Sequence, residues 1–309
     1  MKLSRYQIQP DGGIRLENKE ITAIVYPSNG GKIASFRSGK GNKEWFWNNP
    51  QMNLQAVELG SPYDDNFYGG MDELFPNDFP TVVNDMTLPD HGELWSQPWE
   101  YEMVYGDRGW AIHMILSLRI FPAKMERRIF LTPNGMVIEN TLTNLTDRSI
   151  PYLWVLHPAF NISPYFRFHF PKGKVMVEDE ISGRVRKETK PFIWPGNEIG
   201  TDLSMVPERN GGLESYYITD LPEGRFILED TESREALKVE FPLDVFPHMW
   251  LFMPLGGWRD HYVAVIEPSS GYPTDLANAV KNGTSGILEG NSTIEVAITF
   301  TTVSSEKIG

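Results

Sequence analysis

The sequence predicts an all-β protein, a large antiparallel β-sandwich. Gly (27) and Pro (23) are scattered along the whole chain and punctuate short runs rich in Val, Ile, Phe, Tyr and Thr, the pattern of strands joined by turns. Helical periodicity is nearly absent, with only Thr274 to Asn282 able to form a turn or two. No repeat of about 20 to 50 residues is visible, which argues against a propeller or solenoid. More than a dozen short strands must then close or stack as two large sheets to manage their edges.

The runs follow in order. Ile21 to Tyr26 reads as a strand ended by Pro27-Ser28-Asn29-Gly30-Gly31, and Lys32 to Phe36 follows it, which predicts a hairpin. Trp110 to Arg119, Glu126 to Leu131 and Met136 to Thr143 come next, the last two separated by the turn Thr132-Pro133-Asn134-Gly135. In Met136 to Thr143 apolar and polar residues alternate, so one face is buried and the other wet. Phe226 to Glu229, Ala236 to Phe241, Met249 to Met253, Tyr262 to Ile266 and Thr293 to Thr301 complete the set. One stretch departs from this regularity. Between Lys43 and Arg108 there is neither Lys nor Arg, while Asp64, Asp65, Asp72, Glu73, Asp78, Asp85, Asp90 and Glu93 crowd a Gly/Pro-rich segment. It reads as a long loop, and loops of that length are usually functional.

Composition bounds the function. At 309 residues with 40% hydrophobic and 12% aromatic content, the chain has ample material for a core, and one domain over residues 1–309 is expected. A formal charge of −13 repels phosphate backbones and anionic membranes, so neither nucleic acid nor a membrane is an expected partner. The absence of Cys excludes disulfides, thiolate catalysis and Cys-ligated zinc. The six His form no ligand-spaced cluster, so no metal and no cofactor are expected. The first residues lack an apolar core and no window reaches the length of a membrane helix, which predicts a cytoplasmic protein, monomer or homodimer. The Asn144-Leu145-Thr146 sequon is then an accidental match.

Three segments carry residues suited to chemistry. The first runs from Gly69-Gly70-Met71-Asp72-Glu73 through Asp90-His91-Gly92-Glu93 to Pro98-Trp99. Carboxylates, an imidazole and flat rings suit a sugar, whose hydroxyls need paired hydrogen-bond partners and whose C–H face needs an aromatic surface. A solvated acidic loop with aromatics plugging the core fits the same composition. The second is Trp154-Val155-Leu156-His157-Pro158-Ala159-Phe160-Asn161, in which His157 is either a satisfied core histidine or a site residue. The third is Val263 to Pro273, where Glu267 ends an apolar strand before Pro268. A carboxylate placed there is raised in pKa unless it is paired, and both outcomes are open.

The ordered set resembles the aldose 1-epimerase, or galactose mutarotase-like, family over roughly residues 20–302. The elements are Asp90-His91-Gly92 with Pro98-Trp99, then His157 followed by Phe160-Asn161, then Ile266-Glu267-Pro268. The resemblance implies the galactose mutarotase-like supersandwich, a small-molecule sugar as partner, and cofactor-free interconversion of α and β anomers. It implies His157 as general acid and Glu267 as general base, with His91, Asp72, Glu73, Trp99 and Trp250 binding substrate, and Asp244 as a further possible occupant. The chain departs from the pattern where the family has an Arg in the loop that here reads Met71 to Phe75, and where Glu93 replaces a second Gly. Those departures predict a more acidic pocket. They favour a neutral sugar over a sugar phosphate, for which an Arg or Lys from elsewhere, such as Arg119, Arg127, Arg128, Arg167 or Arg259, would be needed. A non-catalytic carbohydrate-binding or regulatory protein on the same fold, and a glycosidase or lyase, are the competing readings.

Overall fold

The computed structural model describes residues 4–39, 41–178, 184–185, 190–196 and 200–308. Among these, strands that alternate buried and exposed residues assemble into two large antiparallel sheets, because each strand has one apolar face to hide. The larger sheet has twelve strands. Its path runs Arg5–Ile8, Ile14–Glu17, Ile21–Tyr26, Lys32–Ser38, Met71–Leu74, Val155–Phe160, Ala264–Ser269, His248–Leu255, Gly212–Thr219, Lys174–Val177 and Phe192–Ile193, with Lys43–Glu44 paired beside Lys32–Ser38. The smaller sheet has eight, in the order Phe166–His169, Arg225–Asp230, Glu235–Glu240, Thr293–Ser304, Gly135–Asn144, Ala123–Thr132, Gly109–Ser117 and Glu100–Gly106.

The core lies between the sheets. Phe36 and Phe46 of the larger sheet's side meet Phe300 of the smaller with ring centroids 5.9 and 6.0 Å apart, and Phe160 meets Phe226 at 6.0 Å. A fully buried ion pair crosses the same space: Arg127 Nη2 lies 2.9 Å from Glu73 Oε1. The expected strands and the Ile21–Tyr26/Lys32–Ser38 hairpin are present, and Leu276–Asn282 forms a short helix capped by the Asp275 side chain.

The long segment between Lys43 and Arg108 departs from the expectation of a loop. It contributes Met71–Leu74, a central strand of the larger sheet, a small hairpin of Thr81–Val83 with Met86–Leu88, and the edge strand Glu100–Gly106. Met71–Leu74 escapes a propensity reading because it is only four residues long and half acidic. Pairing on both sides holds it in the sheet.

Register positions the site. Ile33 faces Met71, so Lys32 stands beside Asp72, and Asp72 pairs directly with His157. Val155↔Ser269 and Ala159↔Val265 bracket His157 opposite Glu267; Glu267 pairs with Trp250, and Trp250 with Tyr217. The result is one transverse row, Lys32, Asp72, His157, Glu267, Trp250 and Tyr217, contributed by six adjacent strands. Residues opposite one another across a sheet project from the same face, here the face turned away from the smaller sheet. A bulge at Ala34, where Ile24↔Ser35 is followed by Val25↔Ile33, lets Lys32 stand in this row while Phe36 packs inward.

Candidate active site

The middle of the row, His157, Glu267 and Trp250, forms the floor of a cavity of about 320 Å³. His157, Glu267 and Trp250 come from the floor, and Tyr63, Phe67, Asp78 and His91 from the segment that precedes it in sequence. Leu251, Phe252, Trp258, Glu178, Ser215 and Thr274 close the opposite side. Among the described residues that line it there are four carboxylates, Asp64, Asp78, Glu178 and Glu267, and no Lys or Arg.

His157 Nε2 and Glu267 Oε2 face each other at 3.9 Å. Both side chains are buried, and burial acts on them in opposite senses. Desolvation, helped by the positive charges of His91 and Lys32, holds the imidazole well below its usual pKa. Desolvation together with the negative charges of Asp78 and Glu178 pushes the carboxyl well above its own. Burial and the neighbouring charges therefore favour a neutral imidazole beside a protonated carboxyl.

Behind His157 lies a chain of polar contacts. Tyr63 Oη is 3.1 Å from His157 Nδ1 and donates to Asp72 Oδ2 at 2.9 Å. Asp72 is in turn ion-paired with Lys32, whose ammonium also donates to the Gly69 carbonyl at 3.1 Å. His91 stacks flat on the Tyr63 ring, centroids 4.0 Å apart and planes 9° from parallel. His91 Nδ1 contacts Asp90 Oδ1 at 2.8 Å and its Nε2 lies 3.1 Å from Asp78 Oδ1. Burial is the largest single influence on His91 and lowers its pKa, but the two carboxylates outweigh it and hold the ring above its usual value. His91 has a positive φ of 56°, and Gly92 follows at 71°. A Cβ on Gly92 would sit 2.1 Å from the Phe75 carbonyl oxygen, so the tight approach that presents His91 to the cavity requires glycine there.

The structure brings His157, Glu267, His91 and Trp250 together around the cavity. Trp250 is anchored by its indole N–H donating to Gly271 O at 3.0 Å. Other expected substrate-binding residues lie elsewhere. Asp72 does not line the cavity; it is buried beneath it in the contacts with Lys32 and Tyr63. Glu73 points to the other face of the sheet, where Arg127, Asn140 Nδ2 at 3.0 Å and Trp154 Nε1 at 2.8 Å satisfy it, because consecutive strand residues project oppositely. Trp99 is also internal, with the Arg127 guanidinium 4.5 Å above its ring. Glu93 does not acidify the pocket: fully buried, it accepts the backbone N–H groups of Arg119, Ile120 and Phe121. Asp244 lines a separate surface hollow beside Tyr152.

The sequence reading missed Tyr63, Asp78, Glu178 and Trp258. Tyr63 and Asp78 lie in the acidic segment, but nothing in Pro62-Tyr63-Asp64 or Asn77-Asp78 distinguishes them from their neighbours. Glu178 is held by hydroxyls from two other segments: Ser215 Oγ at 2.7 Å, Tyr217 Oη, and Thr274 Oγ1 at 3.3 Å.

This architecture is the galactose mutarotase-like β-sandwich. A candidate aldose 1-epimerase from Klebsiella pneumoniae superposes with a TM-score of 0.75 at 16% identity, covering 96% of this chain and 81% of that one. A galactose mutarotase-like protein from Clostridium acetobutylicum superposes with a TM-score of 0.71 at 14% identity over 97% and 98% of the two chains. The Slr1438 protein from Synechocystis gives 0.69 at 17% identity over 98% and 96%. No family model matches the sequence, and no curated protein matches it. Among the described residues, no helix is long and apolar enough to cross a membrane.

Proposed function

We propose that the protein interconverts the α and β anomers of a neutral monosaccharide by acid–base opening and closure of its hemiacetal ring. The observation that carries this reading is the His157–Glu267 pair, 3.9 Å apart on the floor of the cavity with oppositely shifted pKa values. Mutarotation needs one group to give a proton to the ring oxygen while another takes the anomeric hydroxyl proton, and those two oxygens share a single carbon. Two groups this close can both come within hydrogen-bond reach of that O–C–O unit. The pair needs only one titratable proton between its two members, since imidazolium with carboxylate and imidazole with carboxyl hold the same number. Either placement supplies one acid and one base. A sugar-binding protein without turnover has no use for such a matched pair.

The lining also supports the substrate class. Trp250, Trp258 and Phe67 offer aromatic surface for a pyranose C–H face, and four carboxylates and His91 offer partners for hydroxyls. Arg259, the nearby cation at the rim beside Trp258, is tied to Asp65 at 2.7 Å. A phosphorylated sugar would meet negative charge without a compensating Arg or Lys. Polarimetry or NMR exchange with freshly dissolved α-sugars tests the proposal. Acceleration of anomer exchange for at least one neutral sugar is expected; binding without acceleration for every sugar would reduce the protein to a binder.

A further inference from the structure

We infer that Glu178, with Ser215 beside it, determines which sugar the cavity takes, by accepting hydrogens from two neighbouring hydroxyls on the ring edge remote from the anomeric carbon, those on C3 and C4. The inference deepens the proposed anomer exchange and rests on it for where C1 sits. Glu178 directly follows the strand Lys174–Val177, and its backbone N–H donates to Ser215 O at 3.1 Å. Three hydroxyls donate to its carboxyl group. Ser215 Oγ reaches Oε2 at 2.7 Å, while Tyr217 Oη and Thr274 Oγ1, the latter at 3.3 Å, reach Oε1. The Tyr217 oxygen in turn accepts the Thr274 backbone N–H at 3.3 Å. One strand and the segment leading into the helix thus hold a single side chain in place.

Counting hydrogens gives this end of the cavity its character. Each of the three hydroxyls has one hydrogen and spends it on Glu178. Burial, followed by the charge of Glu178, pushes the Tyr217 hydroxyl well above its usual pKa, so its hydrogen stays in place. A carboxylate offers about four acceptor positions. Both on Oε1 are taken, and one on Oε2 is free. That free position lies beside the lone pairs of Ser215 Oγ, and Glu178, Ser215 and Thr274 all line the cavity. These side chains therefore present acceptors only. They match groups that bring their own hydrogen, as sugar hydroxyls do, and offer nothing to a carbonyl or a phosphate. Oxygens on adjacent sugar carbons have a spacing similar to that between Glu178 Oε2 and Ser215 Oγ, so a vicinal pair meets both.

The floor sets the direction in which the ring lies. On the His157 side the next member of the row, Asp72, does not line the cavity and is covered by Tyr63. On the Glu267 side Trp250 does line it, and beyond Trp250 stands Tyr217 with Glu178 at its hydroxyl. Glu267 and Tyr217 are two strands apart, about 10 Å at the usual strand spacing. One pyranose over Trp250, with side chains reaching toward it from both ends, bridges that span. With C1 at His157 and Glu267, the opposite ring edge meets Glu178 and Ser215.

Calorimetric titration with glucose, galactose and mannose identifies the tightest binder of the three. Its 2-deoxy, 3-deoxy, 4-deoxy and 4-deoxy-4-fluoro analogues are then compared in the wild type and in Glu178→Gln, by calorimetry for Kd and polarimetry for exchange. In the wild type the 3-deoxy, 4-deoxy and 4-fluoro analogues should each bind about tenfold to a hundredfold more weakly than the parent sugar. The fluorine fails because it has no hydrogen to give. Glu178→Gln should weaken the parent sugar and bring it level with its 4-deoxy analogue, while the ratio of 2-deoxy analogue to parent stays as in the wild type. Ser215→Ala, a milder change at the same end, should narrow the 3-deoxy and 4-deoxy gaps as well. Gaps retained in both variants, a 4-fluoro analogue that binds like the parent, or no binding by any of the three sugars would overturn the inference. The expected gaps without faster exchange of any sugar would sink the proposed function and leave the Glu178 subsite standing.

Discussion

Asp72 and Glu73 are neighbours in sequence and serve opposite sides of one strand: Asp72 stands under the cavity with Lys32 and Tyr63, and Glu73 reaches Arg127 of the facing sheet. Period-two alternation alone separates them. One acidic pair therefore links two sets of consequences, one for the site and one for the sandwich.

The sandwich consequence concerns Arg127. Its guanidinium and Glu73 are each about fully buried, and replacing it with Met leaves the Glu73 carboxylate without its counter-charge. Removing one partner of a buried pair costs about 3 to 5 kcal/mol. Denaturant unfolding of Arg127→Met should show a loss of that order, since Asn140 and Trp154 still donate to Glu73 but carry no charge.

For the pair on the floor, Glu267→Gln and His157→Asn should each reduce anomer exchange by about 10² to 10⁴ while the fold persists. Wild-type rates in either, measured by polarimetry on a sugar the parent accepts, would remove that residue from the reaction.

The pH profile should be a broad plateau across neutrality. The working pair holds one proton. Activity falls at low pH when His157, held below its usual pKa, takes a second, and at high pH when Glu267, pushed above its usual pKa, loses the only one. A profile centred instead on the ordinary histidine value would contradict the shifts.

Asp78 bears on stability. Burial, followed by Glu178, Asp90 and Asp64 and opposed by His91, pushes it up to about 6 from 3.8. A carboxyl whose folded pKa lies above its unfolded one binds its proton more tightly when folded. Its stabilising contribution is complete below about pH 4 and is lost as pH rises through about 6. Asp78→Asn, neutral throughout, should match the wild type near pH 4 and be more stable by about 2 to 3 kcal/mol at pH 8. Thermal unfolding at the two pH values decides the matter, and equal differences at both would refute it.

Trp258 is a partly buried wall residue packed on Phe67 and Phe252 at 5.7 and 5.3 Å. Trp258→Ala should raise KM about tenfold at nearly constant kcat, the signature of lost binding surface that serves ground and transition states alike. A fall in kcat with KM unchanged would place the ring in the reaction itself.

Legibility tracked how local each feature is. The strands Ile21–Tyr26 and Gly135–Asn144 declare themselves because alternation and turn residues act within a few positions. His157 and Glu267 stood out because a polar residue at the end of an apolar run is unusual wherever the run packs. Glu73, Trp99 and Glu93 escape a reading along the chain because their partners, Arg127, Asn140 and the 119–121 backbone, arrive from distant segments. Tyr63 and Glu178 gain meaning only from contacts with Asp72 and Tyr217, 9 and 39 positions away.

The sequence by itself determined the class of fold, most strand positions and the two residues on which the proposed chemistry turns, since each depends on patterns within one segment. Only the tertiary structure decided the row Lys32, Asp72, His157, Glu267, Trp250 and Tyr217, and hence which carboxylates meet the cavity. Register between strands far apart in sequence, such as those that place Asp72 beside His157 and His157 beside Glu267, is set by packing of the whole sandwich, and a shift of one residue would turn Asp72 inward and Glu73 toward the cavity.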